Sequence, residues 1–350
     1  MTESLFPFAQ YWWFYLAFSA FVMGILALDL GLFHRGHKEV SFKEATAWTC
    51  VWISLAMTFN YLLYLYSANT FAADPRLTSI PGFVPADAAK KVALQFLAGY
   101  IVEESLSMDN IFVFILIFRY FAIPAVYQHR ILFLGIVGAI VFRGIFITIG
   151  AALIHYRWVV VVFGLFLVIT GIKMLFAGDD KIDPSQNPLV KLLSKRFRIT
   201  TTIHGPDFFV RTGSIVYATP LLVTLACIET TDILFAIDSV PAVFALTKEP
   251  LIVFTSNIFA ILGLRSMYFM LAGAIDRFYL LKYGLALVLT FVGCKMLFLH
   301  HLWGGEFPIT LSLAIIAALL GGSIVLSLIF PKRAEPLPAI EPAHGDSGQS

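Results

Sequence analysis

The composition of the chain is that of a membrane protein. The chain has 350 residues, of which 59% are hydrophobic and only 13% are charged, and its mean hydropathy is +0.85. These values exclude an ordinary soluble globular domain. The formal net charge of +2 gives no indication of a nucleic-acid partner, so we expect none.

Apolar runs in the sequence predict the transmembrane helices. Nine runs are each long enough to cross about 30 Å of hydrocarbon as an α-helix. The first run lacks the basic start and the cleavage site of a signal peptide, so we expect it to remain in the protein. The sequence therefore predicts an all-α polytopic membrane protein with about nine transmembrane helices. In chain order, the predicted spans are 11–33, 45–67, 92–118, 130–154, 157–177, 214–246, 251–273, 279–299 and 308–330.

Basic residues between the runs predict the orientation in the membrane. Every second segment outside the runs, counted with the flanking ends of the spans, is basic: 34–44, 119–130, 178–213, 274–282 and 331–350 together hold 15 Lys and Arg. The other segments hold 5, including Arg157 at the start of a span. Because basic loops tend to stay in the cytoplasm, the N-terminus is predicted outside and the C-terminus inside.

No enzymatic motif stands out in the sequence. We find no nucleophile with its base, no P-loop and no dinucleotide fingerprint. Cys50, Cys227 and Cys294 lie in apolar runs without CxxC spacing, which argues against a disulfide framework or a thiolate metal site. We therefore expect no enzymatic activity and no permanently bound cofactor.

Two pairs of polar motifs recur along the chain. The stretch EESLSMD at 103–109 corresponds to DILFAID at 232–238, 129 positions later. The stretches GIKMLF at 171–176 and GCKMLF at 293–298 are 122 positions apart, and an arginine lies 30 residues before the lysine of each. A difference of seven residues in one loop reconciles the two offsets, so helices 3 to 5 and helices 6 to 8 are predicted to be a duplicated three-helix unit.

The duplication predicts an inverted repeat. Because each unit has three helices, the second copy starts on the opposite side of the membrane, as in many secondary transporters. The predicted organisation is two N-terminal helices with an outer loop (1–91), the first repeat (92–177), a cytoplasmic linker with one short surface helix (178–213), the second repeat (214–303), the last transmembrane helix (304–330) and a disordered tail (331–350).

Acidic side chains inside apolar helices are the strongest functional signal. An ionised carboxylate at a helix centre costs about 2.5–3.5 kcal/mol. Arg143 and Arg265 are predicted to pair with some of the acids but cannot neutralise all of them, so protonation, water or a bound cation must relieve the rest. The candidate ligands are Glu103, Asp109, Asn110, Glu229, Asp232, Asp238 and Ser239, with Asp29 and Glu104 as secondary candidates.

The candidate ligands favour a hard divalent cation. Carboxylate, amide and hydroxyl oxygens suit Mn²⁺, Ca²⁺ or Mg²⁺, and no histidine lies beside them in sequence. Glu103 and Asp109 differ by a rotation of about 240° and a rise of about 9 Å on a straight helix. They therefore either form two levels along a pathway or flank an unwound stretch, and Pro241 favours unwinding in the second copy.

The motifs EESLSMDNIFVF at 103–114 and ETTDILFAIDSVPAV at 229–243 resemble those of the TerC/Alx family of integral membrane proteins, and the similarity extends over about 14–330. The resemblance implies a manganese exporter of the bacterial inner membrane in a family named for an association with tellurium resistance. It also implies that the acidic motif residues lie in the transport path. Plant plastid members of this family are linked to thylakoid assembly.

Three functions remain open at this point. The first is a secondary transporter that exports Mn²⁺, with Ca²⁺ as the second candidate ion, in possible exchange for protons at the carboxylates. The second is a non-transporting membrane scaffold or assembly factor. The third, an exporter of an organic cation or amino acid, is disfavoured because no cluster of aromatic or hydrogen-bonding groups accompanies the acids. The expected partners are the divalent ion and the lipid bilayer, and the oligomeric state is not determined by the sequence.

Overall fold

The computed structural model describes eight stretches of the chain. The predicted tail and the first part of the predicted linker, 178–186, lie outside these residues, as does the side chain of Asp29. The described ranges are 4–33, 41–176, 187–200, 202–203, 205–212, 215–272, 278–299 and 307–330.

Within these ranges the fold is a bundle of long helices. Eight helices are long and apolar enough to cross a membrane, which confirms the predicted all-α polytopic class. The ninth long helix, Pro85–Tyr120, carries the first acidic motif. The helices are α1 (Phe8–Phe33), α2 (Phe42–Ala73), α3 (Pro75–Thr78), α4 (Pro85–Tyr120), α5 (Ala125–Leu153), α6 (Arg157–Phe176), α7 (Pro188–Arg196), α8 (Pro220–Phe244), α9 (Pro250–Leu271), α10 (Leu281–Cys294, continued by a π-helical turn, Lys295–Leu299) and α11 (Ile309–Ile329).

The predicted span 214–246 is helical only from Pro220, which is a correction to the sequence prediction. Before it, strand β3 (Ile215–Ala218) pairs in parallel with β1 (Arg198–Ile199) and antiparallel with β2 (Phe209–Thr212). The β-branched and aromatic residues of β3 favour an extended chain. Proline at the first helical position then sets the start of α8, since its missing N–H would have had no helical partner there.

The unwinding predicted near Pro241 is wrong. Helix α8 is continuous through Pro241 to Phe244, and α4 is continuous across its acidic motif. Pro241 cannot donate to the carbonyl of Ile237, but its own carbonyl accepts a hydrogen bond from the amide of Ala245 at 3.0 Å. The missing bond falls in the last turns of the helix, where it costs little helical structure. Glu103 and Asp109 therefore lie on two levels of one helix.

A layer of phenylalanines holds α4 against its neighbours. Phe18 of α1, Phe59 of α2, Phe96 of α4 and Phe259 of α9 form one cluster, in which the rings of Phe59 and Phe259 are 4.9 Å apart. Tilted and edge-on ring pairs at such distances are favourable beyond the area they bury. The two N-terminal helices thereby fix one side of the helix that carries the first acidic motif.

The two predicted three-helix units pack against each other in a reciprocal way. Helix α4 lies against α9, and α8 lies against α5. Helices α6 and α10 form the most extensive pair in the described chain. Exchanging α4, α5 and α6 for α8, α9 and α10 converts the α4–α9 contact into the α8–α5 contact and leaves the α6–α10 contact unchanged.

A close approach between α6 and α10 shows the same reciprocity at atomic level. A Cβ atom added at Gly171 would lie 2.7 Å from the carbonyl oxygen of Ala286, and one added at Gly293 would lie 2.7 Å from that of Gly164. Each residue of one contact is 122 positions from its counterpart in the other. The two helices are antiparallel, because the later residue of α6 meets the earlier residue of α10. We call this contact the glycine seam; it is the packing expected of an inverted repeat, which stays a prediction.

Candidate cation site

Arg143 is the centre of a buried polar cluster between the two units. It lies in the middle of α5, and its side chain is 1% exposed. Its Nη1 atom forms an ion pair with Oε1 of Glu103 on α4, and its Nη2 atom lies 3.3 Å from Oδ1 of Asp232 on α8. Glu103 and Asp232 occupy equivalent positions of the repeated motif. One guanidinium therefore connects the corresponding acids of both copies.

Three neutral side chains complete this cluster, which we call the arginine centre. Arg143 donates to Oγ of Ser239 and to Oδ1 of Asn257, both at 3.3 Å. Asn110 donates from Nδ2 to Oδ1 of Asp232 at 3.4 Å. Asn257, on α9, is absent from the predicted ligands. Its own amide nitrogen donates to the carbonyl of Val253 at 3.0 Å, which turns its oxygen towards Arg143.

Several oxygen atoms at the arginine centre have no hydrogen-bond partner within the described part of the chain. Their residues are almost fully buried, so each unmet acceptor is costly. The carboxylates carry two negative charges against the single positive charge of Arg143, which leaves a formal excess of −1. The unpartnered acceptors are Oε2 of Glu103, Oδ1 of Asn110 and Oδ2 of Asp232.

The arginine centre is not a site of three converging acids or histidines. Among the described residues, no three Asp, Glu, His or Cys side chains are arranged to hold a metal ion. The centre instead combines two carboxylates with amide and hydroxyl oxygens. Such a mixed oxygen set is found in sites for Ca²⁺ and Mn²⁺, which accept neutral oxygen ligands beside carboxylates.

Glu229 lies one turn from Asp232 along α8 and faces α5. A Cβ atom added at Gly138 would overlap its carboxylate group, so the carboxylate fills the space that this glycine leaves. Its Oε2 atom has no hydrogen-bond partner within the described ranges. Glu229 therefore adds a third negative group on the α5 side of α8.

Asp109 and Asp238 lie outside the arginine centre, on the side of the glycine seam. Asp109 lies on the side of Lys282 of α10, and Asp238 lies near Thr170 of α6. Both acids are half-buried. The structure therefore separates the predicted ligands into two levels, and each aspartate of the second level faces the third helix of the opposite unit.

The remaining candidates lie at other positions. Glu104 points towards α9, where a Cβ added at Gly263 would be 3.4 Å from its Oε1 atom. Arg265 is buried within α9 at 5% exposure. The backbone of Asp29 belongs to α1, but its side chain lies outside the described residues.

The linker reaches towards the same region from the side of α8. The oxygen Oδ1 of Asn187 accepts from the amides of Leu189 and Val190 at 2.9 and 3.4 Å, and so caps α7. The same oxygen accepts from the hydroxyl of Thr230 at 3.3 Å. Val190 is buried in an apolar cluster with residues of α4, α5 and α8. The predicted surface helix is thus anchored to α8 at Thr230, which lies between Glu229 and Asp232 in the sequence.

Comparisons with known proteins agree with the sequence motifs. The chain is 46% identical over 318 residues to "Uncharacterized membrane protein STKORF319" of Myxococcus xanthus, covering 91% of this chain and 92% of that protein. It is 42% identical over 317 residues to "Putative membrane-bound redox modulator Alx" of Escherichia coli K12, covering 89% and 92%. No solved structure matches the chain. The family model described as "Integral membrane protein TerC family" matches residues 88–335, and the chain therefore belongs to the TerC family of integral membrane proteins.

Proposed function

We propose that this multi-pass membrane protein is a secondary transporter that exports divalent cations, with Mn²⁺ as the main cargo and Ca²⁺ as the second candidate. The observation that carries the proposal is the arginine centre. Two equivalent carboxylates from α4 and α8 lie on either side of one buried position and keep unpartnered oxygens there. Buried acids in excess of their counter-charge mark ion pathways in membrane proteins.

The two levels of acids support a pathway rather than a single structural ion pair. The arginine centre lies between α4, α5, α8 and α9, whereas Asp109 and Asp238 face α10 and α6. A cation that leaves one level can thus be received by oxygen atoms of the next. On this proposal, protons exchange for the metal ion at the carboxylates that Arg143 does not contact. The protein would lie in the bacterial inner membrane with its N-terminus outside.

Flux through purified protein tests the proposal. We expect Mn²⁺ to enter proteoliposomes that contain the wild-type protein, and Asp109→Asn and Asp238→Asn each to reduce the rate by about tenfold or more, since each removes a charge from the pathway. Asp87→Asn makes the same chemical change at an exposed position in the first turn of α4 and should leave the rate unchanged. Wild-type protein that moves neither Mn²⁺ nor Ca²⁺ would favour the scaffold interpretation. A flux indifferent to a pH gradient would remove the proton exchange.

A glycine substitution tests the place of Glu229 in the pathway. In Gly138→Ala the new methyl group must displace the Glu229 carboxylate, which is the movable end of a flexible side chain. We therefore expect a weaker apparent affinity for Mn²⁺ with little change in thermal stability. Gly144→Ala on the same helix is the matched control, because its nearest neighbour would be a ring carbon of Phe254 at 4.0 Å. Equal affinities in the two variants would place Glu229 outside the pathway.

A further inference from the structure

The guanidinium of Arg143 lies among the oxygen atoms that a bound cation would use. It contacts Oε1 of Glu103, Oδ1 of Asp232, Oγ of Ser239 and Oδ1 of Asn257. These atoms come from three different helices, α4, α8 and α9. All four belong to the chemical types that coordinate Mn²⁺ or Ca²⁺. Arg143 thus holds, as a hydrogen-bonded organic cation, a ligand set suited to a metal ion.

Within the arginine centre itself, the two carboxylates balance one divalent ion without Arg143, so the charges there favour one cation at a time. Glu103, Asp232 and Arg143 together have a formal charge of −1. A divalent ion bound between the two carboxylates balances them fully, and the guanidinium then becomes a surplus positive charge in a medium of low dielectric constant. The oxygen atoms that Arg143 has been using are also needed by the ion.

We propose that Arg143 is a tethered counter-cation, which occupies the oxygens of the arginine centre when no metal ion is bound and leaves them when the ion arrives. The proposal rests on the proposed transport function and adds a role for this arginine in it. The bond network of Arg143, which reaches α4, α8 and α9 from α5, holds the empty site together. The incoming ion takes over the same bridging contacts.

A tethered counter-cation changes what the transport cycle requires. An exporter must return to its starting conformation after it releases the ion, and two bare carboxylates in the hydrocarbon would oppose that step. Arg143 neutralises one charge and contacts both carboxylates, so the empty carrier can return with Glu103 and Asp232 ionised. Protons that exchange for the metal ion would then be carried by Asp109, Glu229 or Asp238.

Two kinds of flux separate this role from that of a general structural charge. Net Mn²⁺ uptake needs the empty carrier to return, whereas exchange of labelled Mn²⁺ at equal concentrations on both sides needs only the loaded carrier. In Arg143→Gln we expect net uptake to fall about tenfold or more while exchange is largely retained. Tighter Mn²⁺ binding alone would not decide the matter, because removing any nearby positive charge produces it. Equal loss of both fluxes would overturn the proposal.

Free guanidinium ion provides a direct test of the replaced group. In Arg143→Ala, millimolar guanidinium should restore part of the net uptake and compete with Mn²⁺ for binding. In the wild-type protein, whose guanidinium is already tethered, added guanidinium should change neither net uptake nor Mn²⁺ binding. An alanine variant in which guanidinium leaves both net uptake and Mn²⁺ affinity unchanged would contradict the proposal.

Two further variants show whether a change in flux is specific to the guanidinium of Arg143. Arg130→Gln removes the same charge from the same helix about 20 Å away, at an exposed position where the side chain contacts Pro206 and Phe208, and should keep the wild-type ratio of the two fluxes. If the neutral variants do not fold, Arg143→Lys retains the charge with fewer donors. This variant should reduce net uptake more than exchange. A loss of net uptake and exchange by the same factor would overturn the proposal. Absence of both fluxes in wild-type protein would instead refute the proposed function itself.

Discussion

The double variant Glu103→Gln/Asp232→Asn is expected to lose about 3–5 kcal/mol of unfolding free energy, because it leaves the guanidinium of Arg143 buried without a carboxylate. Each single substitution should cost far less. In either single variant, Arg143 keeps one ionised partner, and the centre changes from a formal charge of −1 to neutrality. The expected pattern is therefore strongly non-additive, as it is for residues that share one partner.

Unfolding in mixed micelles, followed for the two single variants, the double variant and the triple variant, measures this pattern. The triple variant adds Arg143→Gln to the double, so that three neutral amides replace three charges, and should recover part of the lost stability. Both single variants should still lose net Mn²⁺ flux, because a divalent ion then finds only one carboxylate at the arginine centre. A double variant with the sum of two small losses would mean that the guanidinium does not depend on these acids.

Gly293→Ala should separate α6 from α10 and abolish most of the flux. The added Cβ would lie 2.7 Å from the carbonyl oxygen of Gly164 and 2.8 Å from the amide nitrogen of Val168. These are backbone atoms, so no side-chain rotation relieves the overlap, and overpacking of this kind costs about 1–3 kcal/mol. Gly171→Ala meets equivalent backbone atoms and should behave alike. Thermal stability in detergent and Mn²⁺ flux measured together test both variants.

Gly322→Ala is the control for the seam. Gly322 also lies in a transmembrane helix, α11, but a Cβ there meets nothing within 4 Å. The variant should match wild type or be slightly more stable, since alanine favours a helix over glycine by about 1 kcal/mol. Seam variants that are as stable as the α11 control would show that α6 and α10 can move apart without cost.

The helices and the acids of the site could be predicted because each depends on residues that are close together in the sequence. Long apolar runs determine the spans, and the repeated spacing of Glu103 and Asp109 in one copy, and of Asp232 and Asp238 in the other, identifies the acids. Rotation on a straight helix also separates the two levels. Local spacing does not predict that α5 packs between α4 and α8. This packing brings Arg143 of α5 into contact with the acids of both copies.

Two parts of the structure were not predictable from the same signals. The sequence does not assign a role to Asn257, since an asparagine in a helix bonds across helices as readily as it lines a path. Its repeat counterpart is Gly135, which has no side chain to indicate a role. Strand β3 merges with the apolar run of α8, so hydropathy alone extends the helix over it. The β-branched residues of β3 and the following Pro220 indicate that the strand ends and the helix begins there.

The glycine seam and the arginine centre differ in how far they keep the two-fold relation between the two units. On the duplication that the sequence predicts, a three-helix ancestor would have formed the seam with a second copy of itself, as a homodimer with a two-fold axis. The seam still has that symmetry, because the tight fit constrains both partners equally. The arginine centre has lost it, since Asn257 stands where the first copy has Gly135, and Ser239 where it has Asn110. On the same prediction, fusion of the two genes would have allowed the halves to diverge at the centre, and neither half would then have regained independence.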